Sequence, residues 1–223
     1  MTRIIAVITV AAALGLALAA PPASAGDEAL ATEAVFERRH LDNITAPTTL
    51  RYRYQRSGSW LGDKDDQALL VIRAIGADGR KQVEFRLFSG ADARHFAPRQ
   101  GFRNNPLIVA FLQRDVEQMG RLTGGSPHYF RNRIRAAFEI DAAVRAEAVT
   151  VPFKGGEVTG TKVTLEPFVA DPYLPRFQQF QHKRYEFVLA PAVPGGVYSL
   201  RAVTPNGTAE PLLDERLAYS GGS

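Results

Sequence analysis

The stretch Asn104–Phe138 reads NNPLIVAFLQRDVEQMGRLTGGSPHYFRNRIRAAF, and the fold turns on how it is parsed. Asn105 can cap a helix and Pro106 fits its first turn, where a missing N–H costs nothing. Val109, Leu112, Val116 and Met119 recur at three- and four-residue steps, and Ile108 and Phe111 widen that apolar stripe. Gln113, Arg114, Glu117 and Gln118 fall on the other side. Gly120, or the Gly124-Gly125 pair, supplies the left-handed residue that ends the helix. Ser126-Pro127 restarts one by the same cap-then-proline logic, with Phe130, Ile134 and Phe138 or Ala137 as its apolar stripe. Two helices joined by a short Gly-Gly-Ser turn make a helical hairpin, about 105–139.

Working outward, the flanks alternate with period two. Before the hairpin, a moderately helical segment Asp27–Leu41 precedes the first strand, where Leu50, Tyr52 and Tyr54 alternate with Arg51, Arg53 and Gln55. A uniformly apolar strand over Gln67–Ile75 turns at Gly76–Gly79 into Lys81–Phe88, and Ser89–Arg103 reads as irregular. After the hairpin, Ala146–Phe153 pairs across Lys154-Gly155-Gly156 with Val158–Leu165. The prolines of Glu166–Arg176 forbid regular structure. Strands over Lys183–Leu189, Val197–Val203 and Glu210–Tyr219 follow, then a Gly221-Gly222-Ser223 tail. The order is helix, three strands, two helices, then about five strands. Strands linked by short turns make an antiparallel meander whose one dry face must be covered, and the hairpin carries the apolar surface to cover it. The expected fold is α+β, a half-open barrel of antiparallel strands with a helical hairpin inserted mid-sheet, forming a single domain over 26–223.

The N-terminus has a basic start, an apolar run from Ile4 to Ala20, and small residues at Ala23 and Ala25. That is a secretory signal peptide over 1–25, cleaved after Ala25. The chain has no cysteine, which excludes disulfides, thiol catalysis, thiolate metal sites and attachment of lipid to a leader cysteine. An exported, disulfide-free, Ala- and Arg-rich chain fits a bacterial periplasm. The net charge is +4, and its excess is local: seven arginines from Arg99 to Arg135 face only Asp115 and Glu117. Such a surface suits an anionic headgroup, peripheral membrane contact or an acidic envelope protein. Nucleic acid is not expected, because basic and aromatic residues do not interleave.

These elements together, an exported strand meander curling round helices inserted mid-sheet, resemble the periplasmic lipoprotein-carrier fold of the LolA/LolB type. The resemblance lies in element order over most of the mature chain. It implies a half-open barrel lidded by helices, with a hydrophobic cavity between them for acyl chains. It carries over no functional residue, since no family motif is matched.

No catalytic signature appears. There is no Gly-x-Ser-x-Gly elbow, phosphate loop, Gly-x-Gly-x-x-Gly or His-Glu-x-x-His, and no two of His40, His95, His128 and His182 have chelating spacing. The chain is therefore read as non-enzymatic, with no cofactor and no metal, binding or carrying a lipid or amphipathic ligand between sheet and helices. The alternative is an interaction module docking on an envelope protein through the basic helical surface. Candidate ligand-binding residues are Arg131 and Arg135, four apart on one helix face. His128 and Tyr129 join them from the first turn of the second helix, where free N–H groups attract anions. Tyr52 and Tyr54 sit on the dry face of the first strand.

Overall fold

The structure, a computed structural model, describes residues 26–140, 143–169, 171–173 and 177–222. The leader expected over 1–25, with its cleavage point, lies outside the described residues. A short helix α1 (Asp27–Thr32) continues into a π-helical turn, Glu33–Glu37, and then a 3-10 turn, His40–Asn43. Its apolar side is Ala31, Ala34 and Val35, whereas Leu30 is exposed.

Four strands follow: β1 (Thr48–Ser57), β2 (Lys64–Ile75), β3 (Lys81–Leu87) and β4 (Arg94–Phe102). The helical hairpin is α2 (Pro106–Thr123) and α3 (Pro127–Ala137). Five more strands complete the chain: β5 (Val144–Phe153), β6 (Gly156–Leu165), β7 (Arg184–Leu189), β8 (Val197–Thr204) and β9 (Leu213–Gly222). All nine join one antiparallel sheet in the order β4-β3-β2-β1-β9-β8-β7-β6-β5. The first and last strands meet in the middle, and β4 and β5 are the two free edges. The hairpin is the connection from one edge to the other. Connectivity alone therefore lays it across the sheet, and together they form the lidded, half-open architecture that the resemblance implies.

The registers carry apolar rows from strand to strand. Tyr54 faces Leu217, which faces Leu200, then Phe187, Val163 and Ala146, so one inward row crosses six strands. Leu107, Ile108, Phe111, Val116 and Met119 of α2 and Phe130 and Ile134 of α3 are buried in the same cluster. Capping follows the sequence. The Leu107 N–H donates to Asn105 Oδ1 at 3.0 Å, and Gly124, with φ 68°, ends α2 by donating its N–H to the Gly120 carbonyl at 2.9 Å. Ser126 precedes Pro127 as expected but makes no side-chain cap.

Three expectations need correction. Ser89–Arg103 is not irregular throughout, because β4 occupies Arg94–Phe102. It lies at the sheet edge with nearly every residue exposed, so neither alternation nor apolar content marks it, and Pro98 is tolerated only because the strand is an edge. The last strand runs three residues further than expected, with Gly221 and Gly222 paired to Arg51 and Leu50 rather than forming a tail. Val109 is 61% exposed. The buried face of α2 is rotated toward Leu107, Asp115 and Gln118, two of them polar residues satisfied from inside.

Candidate functional site

A continuous buried cluster joins sheet and hairpin, and part of what it encloses is ionic. Leu213, Glu215 and Leu217 alternate inward on β9, which places a carboxylate on the dry face. Glu215 is fully buried, and Arg114 Nη2 donates to its Oε1 at 2.8 Å. Gln118 Nε2 donates to Oε2 at 2.9 Å, and the Tyr54 hydroxyl also donates to Oε1. Next to Arg114 on α2, Asp115 accepts from Lys183 Nζ at 3.0 Å and from the Tyr185 hydroxyl, with acid and ammonium each 1% exposed. Lys183 also donates to Thr204 Oγ1 at 3.3 Å. Burial pushes the Glu215 carboxyl up, but Arg114, Tyr54 and Lys183 together hold it below the ordinary carboxylate value. Burial and Glu215 raise the Tyr54 phenol, and burial and Asp115 raise Tyr185 well above its usual value, so both remain neutral donors.

What the sequence reading missed is that Asp115 is not a surface charge. The signal was its helical phase, seven residues after Ile108 and four before Met119. Glu215, sitting between two inward leucines, carried the equivalent signal in a strand.

Where the ionic row reaches the corner of the sheet, the packing opens into a cleft of about 560 Å³ between α2 and the β3–β4 corner. Leu87, Phe88 and Phe96 form its sheet wall, and Ala110, Arg114 and Leu122 line it from the helix. Five cations line it (Arg56, Lys64, Arg94, Arg114 and Arg121) against two carboxylates, Asp92 and Glu117. Phe88 lies between two of them, with Lys64 Nζ 4.5 Å and the Arg114 guanidinium 5.1 Å from its ring centre. It sits at φ 60°, a backbone region that costs a bulky residue roughly 1–3 kcal/mol. The strain is held by the Phe88 N–H, which donates to the Gln67 carbonyl at 2.9 Å, and by the Tyr54 ring 4.8 Å away.

The candidate residues from the sequence occupy three separate places. Arg131 and Arg135 are exposed on α3, with Arg131 Nε and Nη2 donating to Gln113 Oε1 at 3.1 and 3.0 Å. His128 is exposed near Asn132, while Tyr129 donates its hydroxyl to Asp171 and packs with its ring centre 5.5 Å from that of Phe177. Tyr52 and Tyr54 are buried together on β1. Tyr52 Oη accepts from Asn105 Nδ2 at 3.2 Å, whereas Tyr54 adjoins the cleft through Phe88 and Arg114, as Arg131 does through Gln113. Among the described residues no group of three or more His, Asp or Glu could hold a metal ion. Nor is any described helix long and apolar enough to cross a membrane.

No family model and no curated protein matches the sequence. Among solved structures, the Mycobacterium tuberculosis lipoprotein LppX is matched at 13% identity and a TM-score of 0.34, over 87% of this chain and 94% of that one. A LolA superfamily protein from Nitrosomonas europaea is matched at 8% identity and a TM-score of 0.23, over 86% and 92%.

Proposed function

We propose that the protein is an exported, non-catalytic binding protein of the bacterial envelope that takes up one hydrophobic or amphipathic molecule in the cleft between α2 and the β3–β4 corner. The observation that carries this reading is an open, partly aromatic cleft, rich in cations, beside the continuous apolar core. Its volume of about 560 Å³ falls in the range of small-molecule sites, roughly 300–1,000 Å³. The ligand thus lies between sheet and helices, as the sequence leads one to expect, but at the rim of the half-barrel rather than in a central hollow. A phenylalanine held in a strained conformation at the cleft wall supports the same reading, since such strain gathers at ligand clamps.

The test is to fill the cleft. Ala110 lines it and is half-buried, so Ala110→Trp puts an indole where the ligand would lie. Purified wild-type protein should yield lipid by native mass spectrometry or bind the neutral dye Nile red. Ala110→Trp should lose both while melting within a few degrees of wild type. Equal binding by the two proteins would refute the cleft as the site.

A further inference from the structure

We propose that the ligand's polar end is an oxyanion, a carboxylate or phosphate on an acyl-type chain, and that Arg114 Nη1 anchors it. This rests on the cleft reading above and assigns the chemistry of what fills it. A guanidinium carries five donors in a fixed fork. Nη2 of Arg114 is fully engaged, donating to Glu215 Oε1 at 2.8 Å, Tyr54 Oη at 2.9 Å and Gln118 Oε1 at 3.4 Å. Nη1 is buried and has no hydrogen-bond partner among the described residues. Leaving a buried charged donor unpaired is costly, and an acceptor seated in the cleft that Arg114 lines removes that cost once a side-chain shift uncovers Nη1.

The surrounding charges favour an acidic acceptor over a neutral one. Arg56 gives its donors to the carbonyls of Gly62 and Leu61, at 3.1 and 2.9 Å, and makes no ion pair among the described residues. Arg121 is exposed at the mouth and likewise makes no ion pair among the described residues. The two carboxylates of the lining are already engaged. Asp92 meets Lys64 at 2.6 Å, and Glu117 accepts from Gln113 at 2.9 Å and lies 3.9 Å from Arg94. A cationic headgroup finds no free acid here, and an uncharged one leaves the excess of arginine uncompensated. Leu87, Phe88 and Phe96 offer the attached chain an apolar wall.

Displacement of Nile red by a set of sixteen-carbon probes tests the assignment. Palmitate and hexadecyl phosphate should act at concentrations lower than 1-hexadecanol by about tenfold or more, as a charge-assisted contact to arginine implies. Hexadecyltrimethylammonium should be the weakest of the set. The preference should collapse in the Arg114→Met/Glu215→Gln double variant, which removes both charges and strands neither. In wild-type protein, nitrogen-edited NMR of the Arg114 guanidinium gives an independent readout, because its signals should move with palmitate and not with 1-hexadecanol. Equal displacement by acid and alcohol, or unmoved Arg114 signals, would overturn the anion assignment while leaving the cleft occupied. Displacement by inorganic phosphate alone, as strong as by hexadecyl phosphate, would make this a small-anion site and overturn the amphiphile. If Nile red does not bind wild-type protein at all, the cleft reading fails and this one with it.

Discussion

Asp115 and Lys183 meet at 3.0 Å although 68 positions separate them, and each is 1% exposed. Taking two charges out of water costs several kcal/mol per ion, and mutual attraction repays this only when the remaining donors and acceptors are also satisfied. Tyr185 and Thr204 supply that satisfaction here. Removing one partner is therefore far worse than removing both. Lys183→Met, which leaves the carboxylate alone in the core, should cost about 3–5 kcal/mol in a urea melt. Adding Asp115→Asn should recover most of that loss. An additive pair of losses would mean that the two residues do not act as a unit. This pair, like Arg114 and Glu215, shows why the site was hard to read from the chain. A helix or strand pattern tells which side a residue faces, but not that a partner a hundred positions away neutralises it. Arg114, which the helical pattern puts on the side away from the apolar stripe, meets the sheet through Glu215.

The hairpin was the most legible element, because its caps and stripes are local. Asn105, Pro106 and Gly124 mark the limits of α2 in one dimension as they do in three. Edge strand β4 was the least legible, because a strand paired on one side and exposed on both faces needs no apolar alternation. Phe130 shows what the hairpin contributes. It is fully buried, with Phe168, Phe177 and Phe180 all within 6.2 Å of its ring centre. Phe130→Ala should cost about 3–5 kcal/mol, read as a lower urea midpoint at unchanged slope. An unshifted midpoint would take α3 out of the core. Gly125 belongs to the same contact, since a Cβ there would lie 2.9 Å from the Phe130 ring, which explains a second glycine beyond the one that ends α2.

Across the whole molecule, acid acts on two buried groups whose losses begin at different pH. His40 is held neutral: burial lowers its pKa below 6.5, its Nε2–H donates to the Ala34 carbonyl at 2.8 Å, and its Nδ1 accepts the Asn105 N–H at 3.3 Å. A proton on Nδ1 would oppose that N–H. The stability from keeping His40 neutral is complete above pH 6.5 and is lost as pH falls from there through the folded-state value. Glu215 is depressed from 4.5, so its contribution is complete above that value and is lost as pH falls through the lower one. Melting temperature should therefore decline in two steps between pH 7 and strongly acid conditions. His40→Gln should abolish the first step and spare the second, and a single step shared by both proteins would contradict this. The incomplete barrel has one more consequence. Its two rims, β4 and β5, are places where a sibling molecule could extend the ladder and start polymerisation. Each rim holds a proline, Pro98 and Pro152, with no N–H to offer a newcomer, and β4 is further thrown out of step by two shifts of register against β3. The sheet can thus stay open along both edges without inviting its own kind to stack.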